Sequence, residues 1–309
     1  MKRQWVVRLI LSALVLGGSS FGQQVALASL PAAVSETDAS GTANASISTA
    51  PHGETGFFNS WQDRVRVTLA QQPSWAIPLV TASSGLLQVF RTDFVRQITP
   101  AGTDTWIYGN TKGLNLVPWY KVEFDTLIPP YVRHNSSAKD GFGDFSMLLK
   151  YRLAAADATH GNYSVSVSLG STLPTGSYKN GTLFSTISPT ICAGKGFGRF
   201  DVQSTVGATL PVADTVKLGR VMAWNTAAQY HIGKLFWPEI EDNAFFYHGG
   251  PNDGRVQNFL TPGLILSRIQ FQHDSRSLSS LCFGGGMQIA TTHFHTYNHG
   301  IVLTARMLF

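Results

Sequence analysis

The 309-residue chain has no run of apolar residues near the roughly 20 that a membrane-crossing helix requires. The longest early run, 9–16, is about eight residues, so a membrane anchor is the weaker reading of it. Excess charge of one sign is also missing. Lys and Arg number 23 against 18 Asp and Glu, and three of the basic residues (Lys2, Arg3 and Arg8) stand at the extreme N-terminus. Removing them leaves 20 against 18, with no basic stripe of the kind that nucleic acid demands. Cysteine is limited to Cys192 and Cys282, far apart in sequence, and their spacing leaves a bridge between them open. No Gly-x-Ser-x-Gly elbow occurs, and the loop Ser and His residues show no nucleophile–base arrangement, which argues against an enzyme.

What is present begins with an export signal. Lys2, Arg3 and Arg8 precede the apolar run, and Ala26-Leu27-Ala28 supplies the small-x-small cleavage pattern, so 1–28 reads as a signal peptide with the mature chain starting at Ser29. Residues 29–56 are mostly Ala, Ser, Thr and Gly, too poor in large apolar residues to repay ordering, and read as a disordered linker. Residues 57–309 then form one all-β domain. Within 59–72 the pattern is helical: Ser60-x-x-Asp63 looks like a capping box, and Trp61, Val65 and Leu69 share one face. Two placements stand for this piece, a short periplasmic helix under the barrel or a plug in its lumen.

From Leu86 onward, segments of about 10 to 15 residues alternate with Gly, Asn, Asp and Pro clusters. In 163–173, Tyr163, Val165, Val167 and Leu169 alternate with Ser164, Ser166, Ser168 and Gly170. The same split sets Phe145, Met147, Leu149 and Tyr151 against Ser146, Lys150 and Arg152. In 200–210 it sets Val202, Val206, Ala208 and Leu210 against Asp201, Gln203, Thr205 and Thr209. Soluble strands average five or six residues, whereas a tilted membrane strand needs about 9 to 11, and these segments have the membrane length. Aromatics gather near segment ends: Trp119, Tyr120, Tyr151, Phe197, Phe200, Phe236, Trp237, Phe245, Phe246 and Tyr247 suit interfacial girdles. Tight connections at 194–198 and 231–234 alternate with longer ones at 129–141, 174–181, 211–219, 248–255 and 291–300.

The expected fold is therefore a transmembrane antiparallel up-and-down β-barrel. Eleven segments between 86 and 309, with a short strand at 77–82, make 12 strands, with 10 or 14 as the alternatives. The last strand, 300–309, places Ile301, Leu303, Ala305, Met307 and Phe309 on one face and ends in the terminal aromatic that barrel-assembly machinery recognises. If Ser164, Ser166 and Ser168 face the lumen, so do Arg91, Asp93, Lys121, Glu123, Asp125, Lys150, Arg152, Asp201, Gln203, Glu239, Glu241, Gln288 and Arg306. Such charges are costly on the lipid face, which supports this parity. They read either as an eyelet that engages a solute or as a closed interior whose charges neutralise one another. Asp242 is the exception, outward between Ile240 and Ala244 and expected at the outer rim. His293, His295 and His299 form the one cluster with metal-ligand residues, but no carboxylate or thiolate stands near and the loop aromatics Phe294 and Tyr297 suit the interface, so neither metal nor cofactor is assigned.

Several short motifs carry a resemblance. They are Asp140-Gly141-Phe142-Gly143-Asp144, Leu149-Lys150-Tyr151-Arg152, Leu173-Pro174-Thr175-Gly176, Gly194-Lys195-Gly196 with Phe200-Asp201-Val202-Gln203, and Gly249-Gly250-Pro251-Asn252-Asp253-Gly254. In this order and spacing the chain resembles the outer-membrane transporter family named after the meta-pathway of phenol degradation. That resemblance implies a membrane β-barrel that takes up small aromatic or other hydrophobic molecules, without catalytic residues. The expected partners are outer-membrane lipid, a small-molecule solute and the assembly machinery, in a bacterial outer membrane. The oligomeric state stays open. The alternative is a structural or adhesive barrel whose loops bind partners, and the longest loop, about a dozen residues, is short for that role.

Overall fold

The computed structural model describes residues 56–233, 235–270 and 279–309, so the expected signal peptide and linker lie outside the described residues except for Gly56. A helix, α1 (Gly56–Ala70), leads into a segment without regular structure and then into fifteen strands. These are β1 (Val89–Ile98), β2 (Asp104–Gly109), β3 (Gly113–Trp119), β4 (Val122–Leu127), β5 (Tyr131–His134), β6 (Gly141–Phe142), β7 (Phe145–Ala156) and β8 (Tyr163–Leu173). They continue with β9 (Thr186–Phe197), β10 (Phe200–Pro211), β11 (Arg220–Tyr230), β12 (Phe236–His248), β13 (Val256–Gln270), β14 (Ser280–Ala290) and β15 (His299–Leu308).

All pair antiparallel, and β15 returns to β1 along a ladder from Val89↔Leu308 to Ile98↔His299, which closes the sheet and leaves no edge to aggregate. The barrel has twelve staves, because β2 with β3, β4 with β5, and β6 with β7 are each one stave broken in two. The breaks lie side by side. Gly109, Asn110 and Thr111 turn the first with φ of 84°, 45° and 52°; Pro129 and Pro130, which lack N–H donors, break the second; Gly143 and Asp144 break the third. The Gly143 N–H donates to Pro130 O at 2.7 Å and Ile128 N–H to Lys112 O at 3.0 Å, so the seam is bonded across. The expected loop at 129–141 thus contains the strand β5 and the start of β6: the prolines interrupt the ladder without turning the chain, and the loop proper is 135–140.

The expected strand at 77–82 is not a strand; twelve staves arise from Val89 onward, and 77–82 belongs to the irregular segment. The helix starts earlier than its supposed cap. Ser60 lies inside α1 and donates back to Gly56 O at 2.6 Å, and Asp63 pairs with Arg66 at 2.8 Å. The apolar face is as expected: Trp61, Val65 and Leu69 pack on Leu86 and Val117 at the barrel end that also holds Val89 and Leu308. Two-residue turns at Tyr120 with Lys121 and at Gly198 with Arg199 mark that rim as periplasmic, and the loops 174–185, 212–219, 249–255 and 291–298 mark the other as extracellular.

Exposed aromatics form two outer belts. Trp119, Tyr120, Tyr151, Phe197, Phe200 and Phe236 ring the periplasmic side. On the extracellular side Phe94, Tyr108, Tyr131 and Phe142 meet edge-on or tilted across neighbouring staves at centroid distances of 5.9, 6.4 and 5.2 Å. Between them the outward face carries Leu149, Leu169, Ile191, Val206, Leu264 and Leu303, which suits lipid.

The Asp140–Asp144 and Leu173–Gly176 motifs meet in one knot at the extracellular end. The Asp144 carboxylate accepts the N–H of Gly176 at 2.7 Å, the N–H of Thr182 at 2.6 Å and the Thr182 hydroxyl at 2.8 Å. Glycine is required there: a Cβ on Gly181 would stand 2.1 Å from Asp144 Oδ1. Asp144→Ala leaves those donors without their acceptor, at about 1–3 kcal/mol each where burial persists. We expect loop 174–185 of that variant to be cut faster by protease added to intact cells, with the barrel still folded; unchanged cleavage would refute the knot's role.

Candidate functional site: the lumen and the segment that fills it

Segment 71–88 enters the lumen as non-helical, unpaired backbone, and every polar group it buries there needs a partner from the wall. Its two ends are tied together: Gln72 Nε2 donates to Leu86 O at 2.8 Å and Gln72 Oε1 accepts Leu86 N–H at 2.9 Å. Between them the wall divides its work by charge. Carboxylates take the amides. Glu241 accepts Val80 N–H at 2.8 Å and Thr81 N–H at 2.6 Å, Glu239 accepts Leu79 N–H at 3.1 Å, and Glu123 accepts Leu87 N–H. Cations take the carbonyls. Arg306 donates to Pro78 O at 2.8 Å and also to Ile77 O; Arg91 donates to Pro78 O at 3.2 Å and also to Leu79 O; and Lys150 donates to Gly85 O at 3.3 Å, while Arg152 donates to Thr68 O of α1 at 2.8 Å and to Gln72 Oε1 at 3.0 Å.

Neutral side chains complete the cradle. Ser164 and Ser166 hydroxyls each donate to Ser84 O at 2.9 Å. Gln203 donates to Ala76 O at 3.1 Å and accepts Ser84 N–H at 3.2 Å, while Gln88 Oε1 accepts Val117 N–H at 2.8 Å. The wall charges also pair with one another, Arg91 with Asp93 at 2.7 Å and Lys150 with Glu123 at 2.6 Å. Leu79 supplies an apolar anchor. It packs with Ala76, Trp237 and Ile265, and a Cβ on Gly263, Gly284 or Gly286 would come within 2.5, 2.9 or 2.7 Å of its methyls. Those glycines form the socket that lets a leucine seat against β13 and β14.

Of the candidates named from sequence, Arg91, Asp93, Glu123, Asp125, Lys150, Arg152, Asp201, Gln203, Glu239, Glu241, Gln288 and Arg306 are buried. Lys121 is exposed in the periplasmic turn between β3 and β4, outside the strand that would have aimed it. Asp201 stands beside Gln203 at 3.5 Å, Asp125 near Glu123, and Gln288 accepts the Tyr297 hydroxyl at 3.1 Å. Gln72, Gln88 and Gln229 were missed. Gln229 Nε2 donates to Glu239 at 2.6 Å, and its inward parity with Ala227 was a signal available in the sequence.

Above this segment the lumen turns aromatic on one side. Phe245 and Tyr247 of β12 and Phe259 of β13 are buried; Tyr297 stacks on Phe259 at 4.1 Å, and Phe294 meets Tyr247 edge-on at 5.7 Å. Trp237, Phe245 and Tyr247 therefore leave the expected girdle for the interior, as their shared parity with Glu239 and Glu241 requires, and Tyr297 is carried inward by its loop. The opposite wall is lined by hydroxyls, among them Ser146, Thr172, Thr186, Ser188 and Thr190. Cys192 and Cys282 are both buried and free. His295 is held locally, Nδ1 with Thr292 O and Nε2 with Asn298 Oδ1, each at 2.8 Å, and the described residues contain no group of three metal-ligand side chains.

A closed twelve-stave barrel with an apolar outer band between aromatic belts is a bacterial outer-membrane protein. Its lumen holds a segment of its own chain. Residues 80–266 match the family described as "Putative MetA-pathway of phenol degradation", and the chain belongs to that family. The fold is similar to that of an outer membrane channel from Pseudomonas putida F1, with a TM-score of 0.50 at 14% identity, covering 72% of this chain and 94% of the other. A porin aligns with a TM-score of 0.35 at 9% identity over 72% of this chain and 100% of its own. No curated protein matches by sequence.

Proposed function

We propose that the barrel is a path for small, largely apolar or aromatic solutes, closed at rest by segment 71–88. The observation that carries this reading is the division of the lumen. Below, the wall's charges are engaged by the backbone of segment 71–88, and above, an aromatic wall faces a hydroxyl wall. Such a surface holds a flat apolar body on one side and its polar substituents on the other. The channel in Pseudomonas putida F1 supports a transport role by its similar fold. Aromatic solutes are the choice that the family and the stacked Phe259 and Tyr297 favour over sugars.

Reconstitution tests it. In planar bilayers the purified protein should show low ion conductance, and in liposomes phenol-sized aromatics should enter faster than sugars of similar mass. Neutralising Lys150, Arg152, Glu239 and Glu241 in turn should change conductance or ion preference in at least one variant. A barrel that passes neither ions nor solutes in any variant, while its loops retain a macromolecule, belongs to the adhesive class instead.

A further inference from the structure

Arg91, Lys150 and Arg306 hold segment 71–88, and Arg152 holds the end of α1, but one further cation reaches the lumen without such a task. Lys112 ends the turn that breaks the first stave, where its N–H donates to Gly109 O and its carbonyl accepts Ile128 N–H, each at 3.0 Å. Asn110 and Thr111 before it have positive φ, so Lys112 falls outside the strand alternation that marks a residue as inward. Its ammonium is within electrostatic range of Arg91 and Asp93 on β1, Arg306 on β15 and Glu241 on β12, and therefore projects over the lumen. There it makes no hydrogen bond or ion pair with a described residue.

The carboxylates around it are already engaged. Both Asp93 oxygens accept from Arg91, at 2.8 and 2.7 Å, and both Glu241 oxygens accept amides of the segment. Glu239 takes Leu79 N–H and Gln229 Nε2, and Asp125 bonds Glu123 and Asn115. Asp242 is no lumen group, and its expected rim position is wrong: it faces outward at the centre of β12, six residues from either end, and bonds Asn258. An ammonium with three donors, beside two guanidinium groups, is thus left to an anion that brings its own oxygens.

A second cation stands free at the extracellular mouth. Arg255, next to β13, holds its Cζ 4.7 Å from the centroid of Phe294 and has no ion pair among the described residues. Phe294 meets Tyr247, so the aromatic wall begins under one unpaired cation, and a second waits deeper in the lumen. A solute with an aromatic body and a single negative charge fits both features.

We propose that Lys112 binds a carboxylate on the transported solute, so that the path carries small aromatic acids in preference to neutral aromatics; this rests on the reading of the lumen given above. Titration calorimetry on the purified barrel near neutral pH should show benzoate binding about tenfold more tightly than benzyl alcohol, which has a similar shape and no charge. Lys112→Gln should reduce benzoate to the affinity of benzyl alcohol, and Lys112→Arg should keep the preference, both with the heat-modifiable mobility of a folded barrel. Liposome uptake is read separately: if neither aromatic enters, the transport reading fails, and the calorimetric preference still decides the role of Lys112. Equal affinity for the two compounds in the unaltered chain, tighter binding of benzylamine, or a preference that survives Lys112→Gln would each overturn the proposal.

Discussion

Replacing 73–85 by a short glycine linker between Gln72 and Leu86 converts the barrel from a nearly closed to an open pore. Conductance should rise by an order of magnitude or more, and sugars refused by the intact chain should swell liposomes. The ends to be joined are already adjacent, since Gln72 and Leu86 bond one another at 2.8 and 2.9 Å. Closure of the wall does not depend on the excised residues: the β1–β15 ladder runs from Val89↔Leu308 to Ile98↔His299 without them. Arg91 keeps Asp93 and Lys150 keeps Glu123, while Glu239, Glu241 and Arg306 exchange a backbone partner for water. Eight strands fill their interior with side chains and sixteen leave a channel, so a twelve-stranded barrel lies between, and here 71–88 occupies the space inside. An excised barrel that folds and conducts no better than the intact one would refute the reading of 71–88 as the closure.

Glu241→Leu should have the largest effect of any single substitution at the wall. Both of its carboxylate oxygens are used, one on Val80 N–H at 2.8 Å and one on Thr81 N–H at 2.6 Å. Leucine leaves two buried donors unpaired, at about 1–3 kcal/mol each, which the segment can recover only by leaving its seat for water. Single-channel records should change from mostly closed to frequent opening, and the tie at Gln72 and Leu86 should become accessible to protease from the periplasmic side. Glu241→Gln retains an acceptor oxygen and should show a smaller increase. Arg96→Gln, which breaks a partly exposed rim pair with Asp104 at 2.8 Å, should leave gating alone, as such pairs contribute only about 0–1 kcal/mol. Equal behaviour of all three variants would mean that the Glu241 contacts do not hold the segment.

Period-2 alternation made the barrel legible, because a wall between lipid and lumen imposes opposite chemistry on odd and even positions over whole strands. The run from Tyr163 to Leu173 shows this directly: its serines bond Ser84 inside while Leu169 faces out. The same rule on β12 sends Trp237, Phe245 and Tyr247 inward although their aromatic type suits a girdle, because parity is set by backbone geometry. Residues 77–82 misled for a related reason. Ile77, Leu79 and Val80 are the residues of a strand, and nothing in their local pattern reports that their hydrogen bonds go to side chains such as Glu241, about 160 residues away, instead of to a neighbouring strand.

By itself the sequence determined that the chain is a membrane barrel of about twelve strands and which residues share a face, since both follow from segment length and alternation, properties local to each strand. Only the tertiary structure decided what those faces meet. Some of the inward charges pair with one another, and several also satisfy the amides and carbonyls of 71–88, an association that depends on barrel closure bringing β1, β12 and β15 around one segment. Depth, too, was decided there. Asp242 has the same parity at a rim as at mid-strand, and its height in the membrane is a matter of where β12 begins and ends and how its register joins it to β11 and β13.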